Sequence, residues 1–244
     1  MSYPRRSALA AALAGAALLL TSLPASPAAA APLRPVASVG AAAAAPAPVT
    51  TKPAVPKPPR DPRNIGVLVN KTHPLKPKSY VPKGLVRVQG QRLRAEPAAA
   101  LKKMMRDAKA SGARLVTVSG YRSYSTQKSL FARYTRAYGA TYAARISARP
   151  GYSEHQTGLT MDVGAASGAC RLGACFGNTK PGRWVAKNAW KYGYIVRYPK
   201  GQEKVAGYTY EPWHLRYVGV KISTAMKKGK IPTLEHYYGQ VKRR

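Results

Sequence analysis

Residues 153–162 read Ser153-Glu154-His155-Gln156-Thr157-Gly158-Leu159-Thr160-Met161-Asp162. A polar stretch ends at the turn residue Gly158, and Leu159-Thr160-Met161-Asp162-Val163 that follows reads as a short strand entered through that turn. A loop histidine and a strand aspartate, with six residues between them, can then face the same point.

Working outward, Glu96 to Ser111 reads as a helix, with Leu101, Met104, Met105 and Ala108 at helical spacing and Gly112 placed to end it. Leu115-Val116-Thr117-Val118 reads as a strand. Thr126 to Tyr138 reads as a second helix, with Ser125 as cap and Gly139 as stop. Downstream, Trp184 to Tyr192 is expected to be helical, and Tyr194 to Tyr198 and Trp213 to Val218 to be strands. No repeat and no regular strand–helix alternation is visible. The expected fold class is therefore α+β: a small mixed or antiparallel sheet with flanking helices in a single catalytic domain.

That domain is expected to span 63–244. Before it, a basic start (Arg5, Arg6), an apolar segment from Ala8 to Leu20 and the small-residue run Ala28 to Ala31 read as a signal peptide over 1–31. The apolar core is shorter than the roughly 20 residues that span a bilayer, so no stable membrane insertion is expected. Residues 32–62 are rich in Ala, Pro and Val without period and read as an extended linker. The expected product is secreted, associated with the cell wall and monomeric.

Forty-one Lys and Arg face eight Asp and Glu, a net charge of +33. Export removes nucleic acid as the partner such charge usually suggests, and leaves anionic cell-wall polymers; solvation alone is the plain alternative. Cys170 and Cys175 are expected to close a short disulfide loop in an oxidising compartment. A thiolate metal site is the competing reading, with no histidine nearby in sequence to support it.

Among so few acids, placement is informative. Glu154, Asp162 and Glu211 fall in the same segments as His155 and His214. His155, Asp162 and His214 make an N, O, N donor set that suits tetrahedral Zn²⁺ and leaves one position open, which is the catalytic pattern. A zinc hydrolase also needs a base for the attacking water, and Glu211 stands three residues before His214. Pro212 between them disfavours a helix, so Glu211 and His214 are expected on an extended segment, with Trp213 walling the site. His73 and His236 are left outside this set.

Taken together, Ser119-Gly120-Tyr121-Arg122-Ser123 with Gln127, the 153–162 segment, and Tyr210-Glu211-Pro212-Trp213-His214-Leu215-Arg216-Tyr217-Val218-Gly219 resemble the D-alanyl-D-alanine carboxypeptidases of the VanY type. The wider group includes D,D-dipeptidases and endolysin peptidases. The similarity runs from about Leu68 to Tyr238, including Leu68-Val69-Asn70-Lys71 and Thr233-Leu234-Glu235-His236-Tyr237. The resemblance implies zinc on His155, Asp162 and His214, with Glu211 as base. It implies that Arg122 binds the substrate's carboxylate or carbonyl and stabilises the oxyanion, and that Ser153 and Gln127 touch the peptide backbone. The implied substrate is the stem peptide of peptidoglycan, cut at its terminal D-Ala-D-Ala bond. An endopeptidase acting within stem peptides or cross-links is the alternative; a catalytically silent wall-binding module fits poorly, because a binder has no use for a base beside an open metal.

Overall fold

The computed structural model describes residues 55–241. The expected signal peptide and most of the expected linker lie outside the described residues.

The first strands of the described residues form a hairpin, β1 (Leu85–Val88) and β2 (Gln91–Arg94). Its two-residue turn, Gln89-Gly90, has positive φ at both positions, the geometry that matches the right-handed twist of the flanking strands. Helix α1 (Ala95–Ala110) follows at once, with Glu96 in its first turn and Lys109 in its last, each suited to the helix dipole. Its apolar stripe, Leu101, Met104 and Ala108, is fully buried; burying each large side chain contributes about 1.5–3 kcal/mol.

Strand β3 (Leu115–Ser119) leads to α2 (Tyr124–Tyr138) and α3 (Ala140–Ile146). The cap of α2 is Ser123, whose hydroxyl accepts from the Thr126 amide, rather than the expected Ser125. Gly139, at φ 79°, ends α2 as expected. A single 3₁₀ turn, Glu154–Thr157, precedes β4 (Thr160–Ala165). Next come α4 (Lys180–Asn188) and a 3₁₀ turn at Ala189–Tyr192, which together divide the expected Trp184–Tyr192 helix. The chain finishes with β5 (Tyr194–Tyr198), the short α5 (Glu203–Ala206), β6 (Glu211–Tyr217), α6 (Gly219–Lys228) and the one-turn α7 (Leu234–Tyr237).

The four longer-range strands form one antiparallel sheet in the order β3-β4-β6-β5. With helices packed around it, the fold is α+β, as the sequence predicts. One face of the sheet carries Met161, Val163 and Leu215, all fully buried in the main core with the α1 stripe. The alternating residues of β4 and β6, Asp162, His214 and Arg216, turn to the other face. Among the described residues, no helix is long and apolar enough to cross a membrane.

Candidate metal centre

Three side chains from two strands and a turn meet on that second face. Asp162 on β4 and His214 on β6 are direct register partners, with Oδ1 and Nδ1 3.3 Å apart. His155 enters from the 3₁₀ turn, and its Nε2 lies 3.3 Å from Asp162 Oδ2. One donor atom from each of the three falls within 4.8 Å of the others, close enough for all to hold a single ion.

The local sequence explains the aim of each group. Gly158 ends the 3₁₀ turn in the left-handed region at φ 69°, where a residue with a Cβ is strained. A Cβ there would also lie 3.1 Å from Leu85 and 3.2 Å from the Arg94 side chain. The sharp reversal returns the chain into β4 with His155 above it. Behind His155, the Gly120 carbonyl accepts from Nδ1 at 2.8 Å; this commits the proton to Nδ1 and leaves the Nε2 lone pair facing Asp162. Gly120 is required for this approach, since a Cβ there would sit 2.5 Å from the Arg92 carbonyl oxygen.

Glu211 reaches the cluster through a strand irregularity. The β5–β6 register is regular from Tyr194↔Tyr217 to Val196↔Leu215, then shifts so that Tyr198 pairs with Glu211. A bulge of this kind re-aims side chains, and Pro212, which has no N–H to give the ladder, is tolerated at it. Glu211 Oε2 consequently lies 3.4 Å from His214 Nδ1. The extended setting expected for Glu211 and His214 is the one observed.

Electrostatics mark the cluster as a cation site. Burial works against a charged imidazole at His214, but the carboxylates of Asp162, Glu154 and Glu211 hold its pKa up to about 9. His155 is pushed down, first by burial. Burial would raise Asp162, yet the two histidines keep it well below the usual carboxylate range. Burial, with Asp162 and Glu154 nearby, raises Glu211 to about 7 despite His214 and Arg122. Asp162 Oδ1 is buried without a hydrogen-bond partner, a cost that a coordinated ion would relieve. The borderline N, O, N donor set fits Zn²⁺.

Arg122, Ser153, Trp213 and Glu211 line one cavity of about 280 Å³ with the three donors. Arg122 Nη1 donates to Gln127 Oε1 at 2.7 Å and Nη2 to Ser119 Oγ at 3.2 Å. Gln127 departs from expectation. It is fully buried, and its amide nitrogen is spent on Ser147 Oγ and the Ala148 carbonyl. It stands behind Arg122 and orients it, instead of touching a peptide. The Cys170–Cys175 disulfide is formed, and its loop places Leu172 on the cavity wall. His73 and His236 lie outside the cluster.

Three buried charged residues escape assignment by sequence. Arg197 and Arg216 are both 0 % exposed, and Glu235 pairs with the first. In so basic a chain an arginine reads as surface; the available signal was that both sit mid-strand among apolar neighbours, where charge is buried only if paired.

A family profile described as D-alanyl-D-alanine carboxypeptidase, VanY, matches residues 90–220. The chain belongs to the VanY family. YodJ of Bacillus subtilis (strain 168) is 45% identical over 190 residues, covering 74% of this chain and 69% of YodJ. Among solved structures, the LdcB LD-carboxypeptidase superposes with a TM-score of 0.68 at 44% identity, covering 75% of this chain and 89% of LdcB. The D,D-pentapeptidase VanY from a VanB-type resistance cassette, solved with Zn(II), gives a TM-score of 0.62 at 29% identity over 72% of this chain and 98% of that one; it is also known with D-alanine-D-alanine bound. This VanY-family chain is a hydrolase of the carboxypeptidase type, and its His155, Asp162 and His214 are placed so that they could hold a metal ion.

Proposed function

We propose that this protein is an exported D,D-carboxypeptidase that removes the terminal D-Ala of peptidoglycan stem peptides, with zinc held by His155, Asp162 and His214. The observation that carries the reading is the position of Glu211, 3.4 Å from His214 within the same cavity as the three donors and Arg122. Bound there, Zn²⁺ supplies Lewis-acid polarisation and acidifies water. Glu211, raised to about 7 by burial, takes a proton from the water that attacks the amide carbonyl. It passes a proton to the leaving nitrogen of D-Ala, so that one C–N bond breaks as one C–O bond forms.

Arg122 supports the carboxypeptidase assignment. Its planar fork, held by Gln127 and Ser119, presents its remaining N–H donors to a free carboxylate or a developing oxyanion. A cavity of about 280 Å³ suits a short chain end. Ser153 and Trp213 form its walls, and Trp213 excludes water from the polar centre. The leader and linker expected over 1–62, with the net charge of +33, support export and residence near anionic wall polymers.

A second reading has its own observation: the LD-carboxypeptidase is 44% identical to this chain, against 29% for the D,D-pentapeptidase. Digestion of purified pentapeptide and tetrapeptide fragments, followed by mass spectrometry, separates the two. Loss of one alanine from the pentapeptide alone supports D,D activity, and loss from the tetrapeptide supports L,D activity. Release of larger pieces means endopeptidase. Activity that survives a strong chelator sinks the zinc reading.

A further inference from the structure

A buried chain of charged groups runs from the back of the metal cluster to the C-terminal segment. Glu154, the residue before His155, accepts with Oε1 from Arg197 Nε and Arg216 Nη1, both at 2.8 Å. Arg197 in turn pairs with Glu235 through two hydrogen bonds, of 2.9 and 2.7 Å, and Asn70 donates to Glu235 at 3.0 Å. Arg216 Nη2 donates to the carbonyls of Ile65 and Val67 at 3.0 and 2.7 Å. None of the four charged side chains is more than 4% exposed. Two arginines and two glutamates leave no net charge, as deep burial requires.

Neutrality alone does not explain how Glu154 is used. Both guanidinium groups bond to Oε1, while Oε2 has no hydrogen-bond partner. That oxygen lies 3.5 Å from His214 Nε2, which is also buried and unpartnered. A carboxylate oxygen can only accept and an imidazole N–H can donate, so these two unsatisfied atoms complement each other. The other ring nitrogen of His214, Nδ1, faces Asp162 and Glu211.

We propose that Glu154 is the positioning residue for His214. Its Oε2 accepts a hydrogen bond from the His214 Nε2–H, which keeps that proton on Nε2 and leaves the Nδ1 lone pair for the ion, and the two arginines hold the carboxylate in that direction. His155 is fixed in the opposite tautomer by the Gly120 carbonyl, so the two histidines present different nitrogens to one centre. Supporting carboxylates of this kind set the tautomer and orientation of metal-binding histidines. Glu235, itself held by Asn70, anchors Arg197, and neither residue lines the cavity. The inference rests on the zinc reading given above.

The test compares zinc dissociation constants of wild type, Glu154→Gln and Glu235→Gln by competition with a coloured chelator. The absorption spectrum of the Co(II)-loaded proteins is recorded alongside. Glu154→Gln keeps size but turns an amide N–H₂ toward His214 when its oxygen stays with the arginines, which favours the wrong tautomer. It is expected to weaken zinc about 10–100-fold and to alter the cobalt spectrum. Glu235→Gln removes the same charge from the same cluster without facing His214, so its zinc affinity is expected to stay within about threefold of wild type even where its melting temperature falls. An unchanged zinc affinity and spectrum in Glu154→Gln, or an equal loss in Glu235→Gln, overturns the proposal. Should Glu154→Gln not fold, ¹⁵N NMR of the histidines in the zinc-loaded wild type decides: a protonated Nε2 and metal-bound Nδ1 at His214 support the role, and the reverse pattern defeats it. A wild type that binds no zinc defeats the zinc reading itself.

Discussion

Asp162 on β4 and His214 on β6 sit opposite each other in the antiparallel ladder, and their side chains meet at 3.3 Å on the polar face of the sheet. Cross-strand partners have Cβ atoms about 4.5–5.5 Å apart, so the two donors are brought together by backbone pairing and not by a flexible loop. His155 is then the only donor of the three that relies on a turn, and the Gly120 carbonyl holds it.

Replacing Asp162 with Ala therefore removes a donor from a rigid frame that cannot offer a substitute. Zinc retention, measured by atomic absorption after dialysis, is expected to fall by more than the about 10–100-fold typical of losing a supporting contact. Melting temperature should change much less than metal content.

Glu211→Ala separates metal binding from chemistry. The three donors stay in place, so zinc is expected to remain bound, while kcat for D-Ala release falls by about 10²–10⁴. Turnover at the wild-type rate would show that another group moves the proton.

Gly120→Ala tests the support behind His155. The added methyl meets the Arg92 carbonyl at 2.5 Å, and relief of that clash must shift the Gly120 carbonyl that accepts from His155 Nδ1. Overpacking of this kind costs about 1–3 kcal/mol. Calorimetry should show the lower stability, and chelator competition a weaker zinc site.

Acid stability should trace to the buried ion network. Burial alone would raise Glu235, but Arg197, with Asn70 assisting, holds its pKa below the ordinary value of 4.5. Stability from a depressed carboxylate is fully present above the unfolded value and is lost as pH falls through the folded one. Wild type is therefore expected to lose stability below about pH 4.5. Glu235→Gln should be weaker by about 3–5 kcal/mol at pH 7, as when a buried pair is broken, and its stability should fall less steeply with acid. Urea unfolding from pH 7 to pH 3 checks both.

The loop closed by Cys170 and Cys175 carries Leu172 to the cavity wall. A double Ser variant is expected to raise KM for stem peptides, by up to about tenfold for a lost apolar wall, with zinc affinity unchanged. An unaltered KM across peptides of different length would mean that the loop does not shape entry.

Local patterning made much of this molecule legible. The stripe of α1, the β5 strand and the extended setting of Glu211 all follow from periodicity and from Pro212. The α2 cap moved from Ser125 to Ser123 because serine recurs at both positions and only backbone geometry chooses between them. Gln127 was legible as polar and near Arg122, but its place behind that arginine depends on Ser147 and Ala148, some twenty residues on.

By itself, the sequence determined the donor types, their order along the chain and the family, because these reside in residue identity and short spacing. Only the tertiary structure decided that Asp162 pairs with His214, that a register shift turns Glu211 toward them, and that Arg197 and Arg216 are buried against Glu154. Those relations join strands far apart in the chain, where they depend on sheet register and on the need of buried charges and unpaired polar atoms to find partners.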